Sequence, residues 1–305
     1  MRKSLLCILT AALLLVSVAT CFAQDTNYKF GILMGPGSKD QQFKVIFSKI
    51  IEYVGETEKL DFELIWYMEE DKLLSDAKEG VLDYIYTKKA DPFFALMEDY
   101  GYVPFLGISL FGKKAVGICL YGIGEHKITG LESLKGLHLV TYAARDGYFP
   151  LRNLLGDDFE SIFSKITLSN AGMDSLDYIT SGKADLAFVH QMNVESLKSF
   201  NPTLYKKFKQ LLCTTAQPSP SILHSKTAPP ELTKKITEIM ESAYNADFMK
   251  TYKNLMKTAK IRFFEVKPED FPETMKLYRH ARASGWEKDY QAFIKKYEDT
   301  IIESK

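Results

Sequence analysis

Arg145 and Asp146 stand side by side in a short turn between an apolar run and an amphipathic stretch. Asp83 and Asp185 each follow a glycine by three residues at the mouth of another apolar run. A guanidinium can grip a carboxylate or sulfonate through two parallel hydrogen bonds, and a carboxylate suits an ammonium group. This is chemistry for holding a small charged molecule, and residues that would transform one are sparse. The five histidines, at positions 126, 138, 190, 224 and 280, lack the spacing of zinc ligands, and Gly35-Pro36-Gly37-Ser38 lacks the lysine of a phosphate-binding loop. There is no Gly-x-Ser-x-Gly elbow, and Ser75-Asp76-Ala77-Lys78 lies in a helical pattern where an i, i+3 polar face accounts for it. No catalysis, metal or cofactor is expected.

The elements that must position these residues alternate. Lys29 to Met34 reads as a buried strand, and Phe43, Ile46, Phe47, Ile50, Ile51 and Val54 follow helical spacing up to Gly55. Phe62 to Met68 is the next strand, a short helix ends at Gly80, and Val81 to Tyr86 is the third strand. Asp91 is placed to cap a helix from Pro92 to Tyr100, and the apolar runs to Tyr121 complete a first lobe. The scheme then repeats, with strands at 137–142, 166–169, 185–189 and 211–215 and helices between them. Such alternation implies parallel sheets, whose carboxyl ends shape ligand crevices. Gln217-Pro218-Ser219-Pro220 reads as a hinge joint, as does the connection near Tyr121 to Glu125. The helices from Pro230 onward are expected to return to the first lobe. The lobes are therefore 24–121 plus 220–305, and 122–219.

Arg2 and Lys3 precede an apolar stretch from Leu5 to Val18 that is too short to span a bilayer. A secretory signal cut after Ala23 is expected, with lipidation of Cys21 as the alternative. The remaining 282 residues are nearly neutral, with 37 basic against 39 acidic groups, so nothing calls for nucleic acid. Cys119 and Cys213 would pair only if the fold brought them together, and two separate buried thiols are expected.

The order of segments resembles the substrate-binding components of phosphonate and phosphate-type ABC importers. The resemblance rests on Gly80-Val81-Leu82-Asp83, Leu131-Glu132-Ser133-Leu134-Lys135-Gly136, Gly147-Tyr148-Phe149-Pro150, Asn170-Ala171-Gly172, Gly182-Lys183-Ala184-Asp185, Gln217-Pro218-Ser219-Pro220-Ser221 and Pro229-Pro230-Glu231-Leu232. It implies an α/β, two-lobed type II periplasmic binding protein fold, each lobe a mostly parallel sheet flanked by helices, with the ligand cleft between lobes. It also implies an extracytoplasmic, monomeric solute-binding protein that delivers cargo to a membrane permease. A sensor signalling to a membrane receptor or histidine kinase would use the same clamp and is the alternative.

The resemblance sets Asp185 where aminophosphonate binders meet the ligand's amine. It sets Tyr86 and Thr87 where the family uses an aromatic or hydroxyl contact. The remaining candidates are Ser38, Tyr67, Tyr142 and His190 near strand ends, and Arg145, Asp146 and Tyr148 at a helix start. The family's Ser/Thr-rich anion turn is replaced here by Ala143-Ala144-Arg145-Asp146, and Met173 stands where the family often has His. An anion next to Asp146 loses about 1 kcal/mol or more unless Arg145 offsets it. The expected solute is therefore polar or zwitterionic rather than phosphonate. Two other readings stay open at this point: Asp83 and Asp185 as turn caps, and Arg145 paired with Asp146.

Overall fold

Strands and helices alternate along the chain, and the strands sort into two main sheets joined by a two-stranded ribbon. The computed structural model describes residues 27–34, 41–124, 130–218, 221–252 and 260–302. The expected signal segment and Ser38 lie outside the described residues.

The first sheet has the order β13-β4-β12-β3-β1-β2. Its members are β1 (Asn27–Leu33), β2 (Asp61–Tyr67), β3 (Tyr84–Thr87), β4 (Val103–Ser109), β12 (Ser221–His224) and β13 (Arg262–Glu265). β1 runs parallel to β2 and β3, while β12 is antiparallel to β3 and β4. The second sheet, in the order β10-β6-β9-β7-β8, contains β6 (Ile118–Ile123), β7 (His138–Tyr142), β8 (Lys165–Ser169), β9 (Leu186–His190) and β10 (Phe208–Cys213). There β6 plays the part of β12, lying antiparallel between β9 and β10. Each lobe thus holds one strand delivered from the other lobe, and the two delivering arms, β5 (Ala115–Val116) and β11 (Gln217–Pro218), pair with each other.

This pairing moves the first boundary. The run ending at Tyr121 was expected to complete the first lobe, but Ile118–Ile123 lies in the second sheet, so the crossover sits at 115–117. β6 also brings Cys119 directly opposite Cys213 on β10, where the two form a disulfide. That replaces the expected separate thiols; sequence alone could not show that residues 94 apart occupy facing positions.

The two halves share a helical layer. One face of the first sheet packs on α1 (Gln41–Glu58) and α7 (Pro230–Ser242) through Ile46, Phe47, Ile50, Ile236 and Met240. The outer face of the second sheet packs on α5 (Gly172–Thr180) and α6 (Gln191–Phe200) through Leu176, Ile179, Val194 and Leu197. A single apolar cluster fills the space between, carried by α2 (Glu70–Lys78), α3 (Ala90–Glu98), α4 (Arg145–Leu155), α8 (Pro272–Ala283) and α9 (Trp286–Tyr297). The C-terminal helices do not simply return to the first lobe. α8 is tied to α3 through Arg282 and Asp99, while α9 packs its Phe293 on Tyr148 of α4 and Ile302, beyond α9, bridges Ser169 of β8. The tail passes from the first lobe to the second because the apolar faces of both need the same cover.

The two glycine-to-aspartate steps are structural twins. Gly80 and Gly182 adopt φ +71 and +73, conformations that favour glycine, and each closes its helix with the paired back-bonds of a Schellman motif. Asp83 then exchanges two backbone-directed bonds with Lys29, its N–H donating to the Lys29 carbonyl and its carboxylate accepting from the Lys29 N–H at 2.8 Å. Asp185 does the same with His138, also at 2.8 Å. Both carboxylates sit at the amino ends of β3 and β9, five residues from the carboxyl end of β9 for Asp185, or roughly 16 Å. Asp185 thus serves as a backbone acceptor at the start of an interior strand, at the end away from the crevice where a ligand contact was expected. Asp83→Ala and Asp185→Ala should each lower stability by about 1–2 kcal/mol, the cost of stranding a partly buried N–H, and denaturant melts should show the two losses to be similar.

Candidate functional site

The site follows from where the crossover arms meet the sheets. Thr87, the last residue of β3, pairs with Ser221 at the start of β12, and His190, the last residue of β9, pairs with Ile118 at the start of β6. The carboxyl ends of equivalent strands thereby converge on the ribbon, the position at which open α/β sheets hold ligands. The Ile118 N–H donates to Thr214 Oγ1 at 2.9 Å, and the Thr214 N–H to the Ile118 carbonyl at 3.0 Å, so the two arms are stitched together. A cavity of ≈ 120 Å³ lies here, walled by Thr87, Lys88, Asp146, His190, Thr214 and Tyr278 among others. Its size suits a small solute rather than a polymer.

Of the sequence candidates, Thr87, Asp146 and His190 line this cavity. The Thr87 hydroxyl accepts from the Lys89 N–H at 3.1 Å, shaping the turn into α3. His190 has its pKa lowered by burial, opposed by the Asp146 charge and assisted by Lys88, which keeps the imidazole neutral. The His190 backbone N–H donates to the Tyr142 hydroxyl at 3.2 Å, and that hydroxyl donates to Asn193 Oδ1 at 2.9 Å. Tyr142 is therefore a support beneath the cavity. It packs so closely over Gly147 and Gly172 that a Cβ on either would collide with it.

The other candidates lie elsewhere. Tyr86 stacks on Phe43 and packs at a tilt on Phe47 within the first lobe's core. Tyr67 is buried and donates to Asp76 Oδ2 at 2.5 Å, and Tyr148 is enclosed by Phe149, Phe159 and Phe293. All three are packing residues because their strands and helices turn those faces toward helical layers instead of the ribbon. Arg145 is already engaged: Nε and Nη2 grip Glu287 at 2.7 and 2.8 Å, and Nη1 stands 3.3 Å from Asp91 and 3.9 Å from Glu70. It does not pair with Asp146 and ties the two lobes and α9 together.

Asp146 has the least expected position. Its carboxylate accepts from the N–H groups of Ala90 and Asp91, both at 3.3 Å, and from the Tyr278 hydroxyl at 2.7 Å. A second-lobe side chain thus caps a first-lobe helix. Asp91 was expected in that role, but α3 starts at Ala90, two residues before the expected Pro92, and its preceding residue, Lys89, gives no side-chain cap. Tyr278, which the sequence presents only as one apolar position of an amphipathic helix, stands between Phe94 and Phe149 and completes the contact. Elsewhere between the lobes, Phe111 meets Phe200 edge-on and Lys113 pairs with Glu195 at 3.0 Å. Contacts thus join the lobes at more than one place.

Three carboxylates, Glu70, Asp91 and Asp146, gather around the start of α3. Burial pushes the Asp91 carboxyl up to about 7; Arg145 pulls it down, while Glu70 and Asp146 push it further up. Between about pH 4, the ordinary aspartate range, and about pH 7, the folded chain keeps a proton that the unfolded chain has lost. This group's contribution to stability is therefore present at low pH and is lost as pH rises through that window. His190, held neutral, acts in the opposite sense, losing stability as pH falls. The informative quantity is the difference between wild type and Asp91→Asn: the variant should gain about 1–2 kcal/mol relative to wild type from pH 5 to pH 8, discounted for partial exposure, by urea titration at both pH values.

No family model matches the chain, and no curated protein matches it in sequence. Solved structures do match. The binding protein component of an ABC phosphonate transporter from Pseudomonas aeruginosa aligns with a TM-score of 0.60 at 12% identity, covering 90% of this chain and 95% of that one. A Prochlorococcus marinus protein solved in complex with methylphosphonate aligns at 0.61 and 12% identity, covering 85% and 99%. The periplasmic aliphatic sulphonate binding protein from Escherichia coli aligns at 0.51 and 12% identity, covering 86% and 89%. With its two α/β sheets joined by a crossover ribbon, the chain has the fold of the two-lobed type II periplasmic binding proteins.

Proposed function

We propose that this chain is an extracytoplasmic solute-binding protein of an ABC importer, closing two lobes around a small polar or zwitterionic solute and presenting the closed form to a membrane permease. The observation that carries the reading is the convergence of Thr87 and His190, the carboxyl ends of equivalent strands in the two lobes, on one cavity at the crossover ribbon. A solute touching both walls binds the closed arrangement better than an open one and so shifts the population toward it. The solved structures of similar fold, named for phosphonate transport and sulphonate binding, support the same role. The Cys119–Cys213 disulfide supports an oxidising compartment, as does the N-terminal pattern of a secretory signal. Among the described residues no helix is long and apolar enough to cross a membrane.

Binding needs no covalent step. Thr87, Lys88 and Ser221 offer polar groups from the first lobe, and His190, Asn153 and Asp146 from the second, while Phe93, Ile118 and Phe271 supply the apolar wall usual in small-molecule sites. Mass spectrometry of the purified protein should find a co-purified small molecule. With that compound in hand, Thr87→Ala and His190→Ala should each weaken its binding by roughly tenfold, about 1.4 kcal/mol. Tyr86→Phe, in the core, should leave it unchanged. Isothermal titration of the three variants checks the ranking, and unchanged affinity in both cavity variants would remove the cavity from the reading.

A further inference from the structure

The start of α3 is a seat for an anion, and a side chain of this protein occupies it. The first N–H groups of a helix lack internal partners and carry about half an elementary positive charge between them. Here those of Ala90 and Asp91 point at the Asp146 carboxylate, and the buried Tyr278 phenol supplies a third donor from a different element. Oδ1 accepts from Asp91 and Tyr278, and Oδ2 accepts from Ala90. Three donors converging from two helices on one pair of oxygens would serve equally for a bound carboxylate, phosphonate or sulfonate. The two backbone bonds, at 3.3 Å, are longer than the usual 2.9–3.0 Å, because Asp146 reaches the seat from its own helix across the lobe boundary. The same carboxylate lines the solute cavity.

We propose that Asp146 is a specificity-determining residue that acts as a built-in anion: by filling the seat at the start of α3 it refuses oxyanionic groups there and selects a solute that turns a cationic or neutral hydrogen-bond donor toward it. The proposal rests on the solute-clamp reading and names the ligand chemistry at one end of that cavity. An oxyanion entering beside Asp146 finds the donors taken and faces the like charge of that carboxylate. Three of about four acceptor positions on the carboxylate are used, which leaves one for an N–H or ammonium of the solute. The seat is thus a filter built from an interlobe contact, and it works in the closed arrangement.

Removing the carboxylate should expose the seat. Asp146→Ala keeps Cβ and deletes a group the size of formate, so formate is the matched probe, with methylphosphonate as a larger one. At roughly 50 mM, sodium formate should raise the Tm of Asp146→Ala by a few degrees over sodium chloride at equal ionic strength, since a ligand that binds only the folded state stabilises it. Wild type and Asp146→Asn, whose seats stay filled, should not respond. Adding Tyr278→Phe to the alanine variant should reduce the rise, because one of the three donors is gone. If Asp146→Ala does not fold, Asp146→Ser, which retains one capping oxygen, takes its place with the same comparisons. No rise in the folded variant, or an equal rise in wild type or Asp146→Asn, would overturn the proposal. Loss of the solute-clamp reading would register separately, as no co-purified compound in wild type, and would leave the formate result standing.

Discussion

The N–H groups that open α3 need acceptors, and the flanking sequence of α3 provides none. Lys89 at the capping position has no side-chain acceptor, and Asp91, the second residue of the helix, faces Arg145 instead. The acceptor comes from the other lobe, and that requirement organises the centre of the molecule. Asp146 must lie within reach of Ala90, so α4 must begin at Arg145, and Gly147 must be a glycine for the helix to press onto Tyr142. Tyr142 in turn supports His190 and Asn193. A single capping contact therefore runs through the supports of the cavity on both sides.

The same region shows how charge is managed where two lobes meet. Arg145 stands among Glu70, Asp91 and Glu287, drawing residues from both lobes and the C-terminal tail to one guanidinium. Its planar fork can serve several carboxylates at once, which a lysine could not do with the same geometry. Even so, burial outweighs its pull on Asp91, with Glu70 and Asp146 adding repulsion, and the Asp91 carboxyl holds its proton into the neutral range. The disulfide and the β5–β11 ribbon act on the other flank, fixing the arms about which the lobes would move. The crossovers are thereby tied to each other, and the lobes meet both through the ion pairs around Arg145 and through the shared apolar cluster.

Much of the fold was legible. The apolar strands, the helical spacing in α1 and α7, and the glycine stops at Gly80 and Gly182 depend on local periodicity and local backbone preference, and each element lies within a few residues of its expected bounds. The site was legible in part. Thr87 and His190 could be placed because they end strands, and strand ends in a parallel sheet have a defined destination. Asp185 was misplaced for the same reason turned around: it begins its strand, so the sheet that carries His190 to the cavity carries Asp185 away from it. Tyr67, Tyr86 and Tyr148 read as cavity walls because tyrosine serves equally at a wet wall and in a dry core, and only the direction of each face separates the two.

What the sequence determined by itself is local: which segments are strand or helix, where glycine must turn the chain, that the two halves repeat one plan, and that no catalytic constellation is spelled out. Tertiary structure alone decided which residues meet. That Ile118–Ile123 crosses into the second sheet, that Cys119 faces Cys213, that the tail covers both lobes, and that Asp146 caps α3 with help from Tyr278 are all contacts between segments far apart in the chain. The physical reason is that a helix end or a sheet face specifies what it needs, an acceptor or an apolar cover, without specifying who supplies it. The supplier is chosen when the lobes pack, and here that choice set a carboxylate in the anion seat.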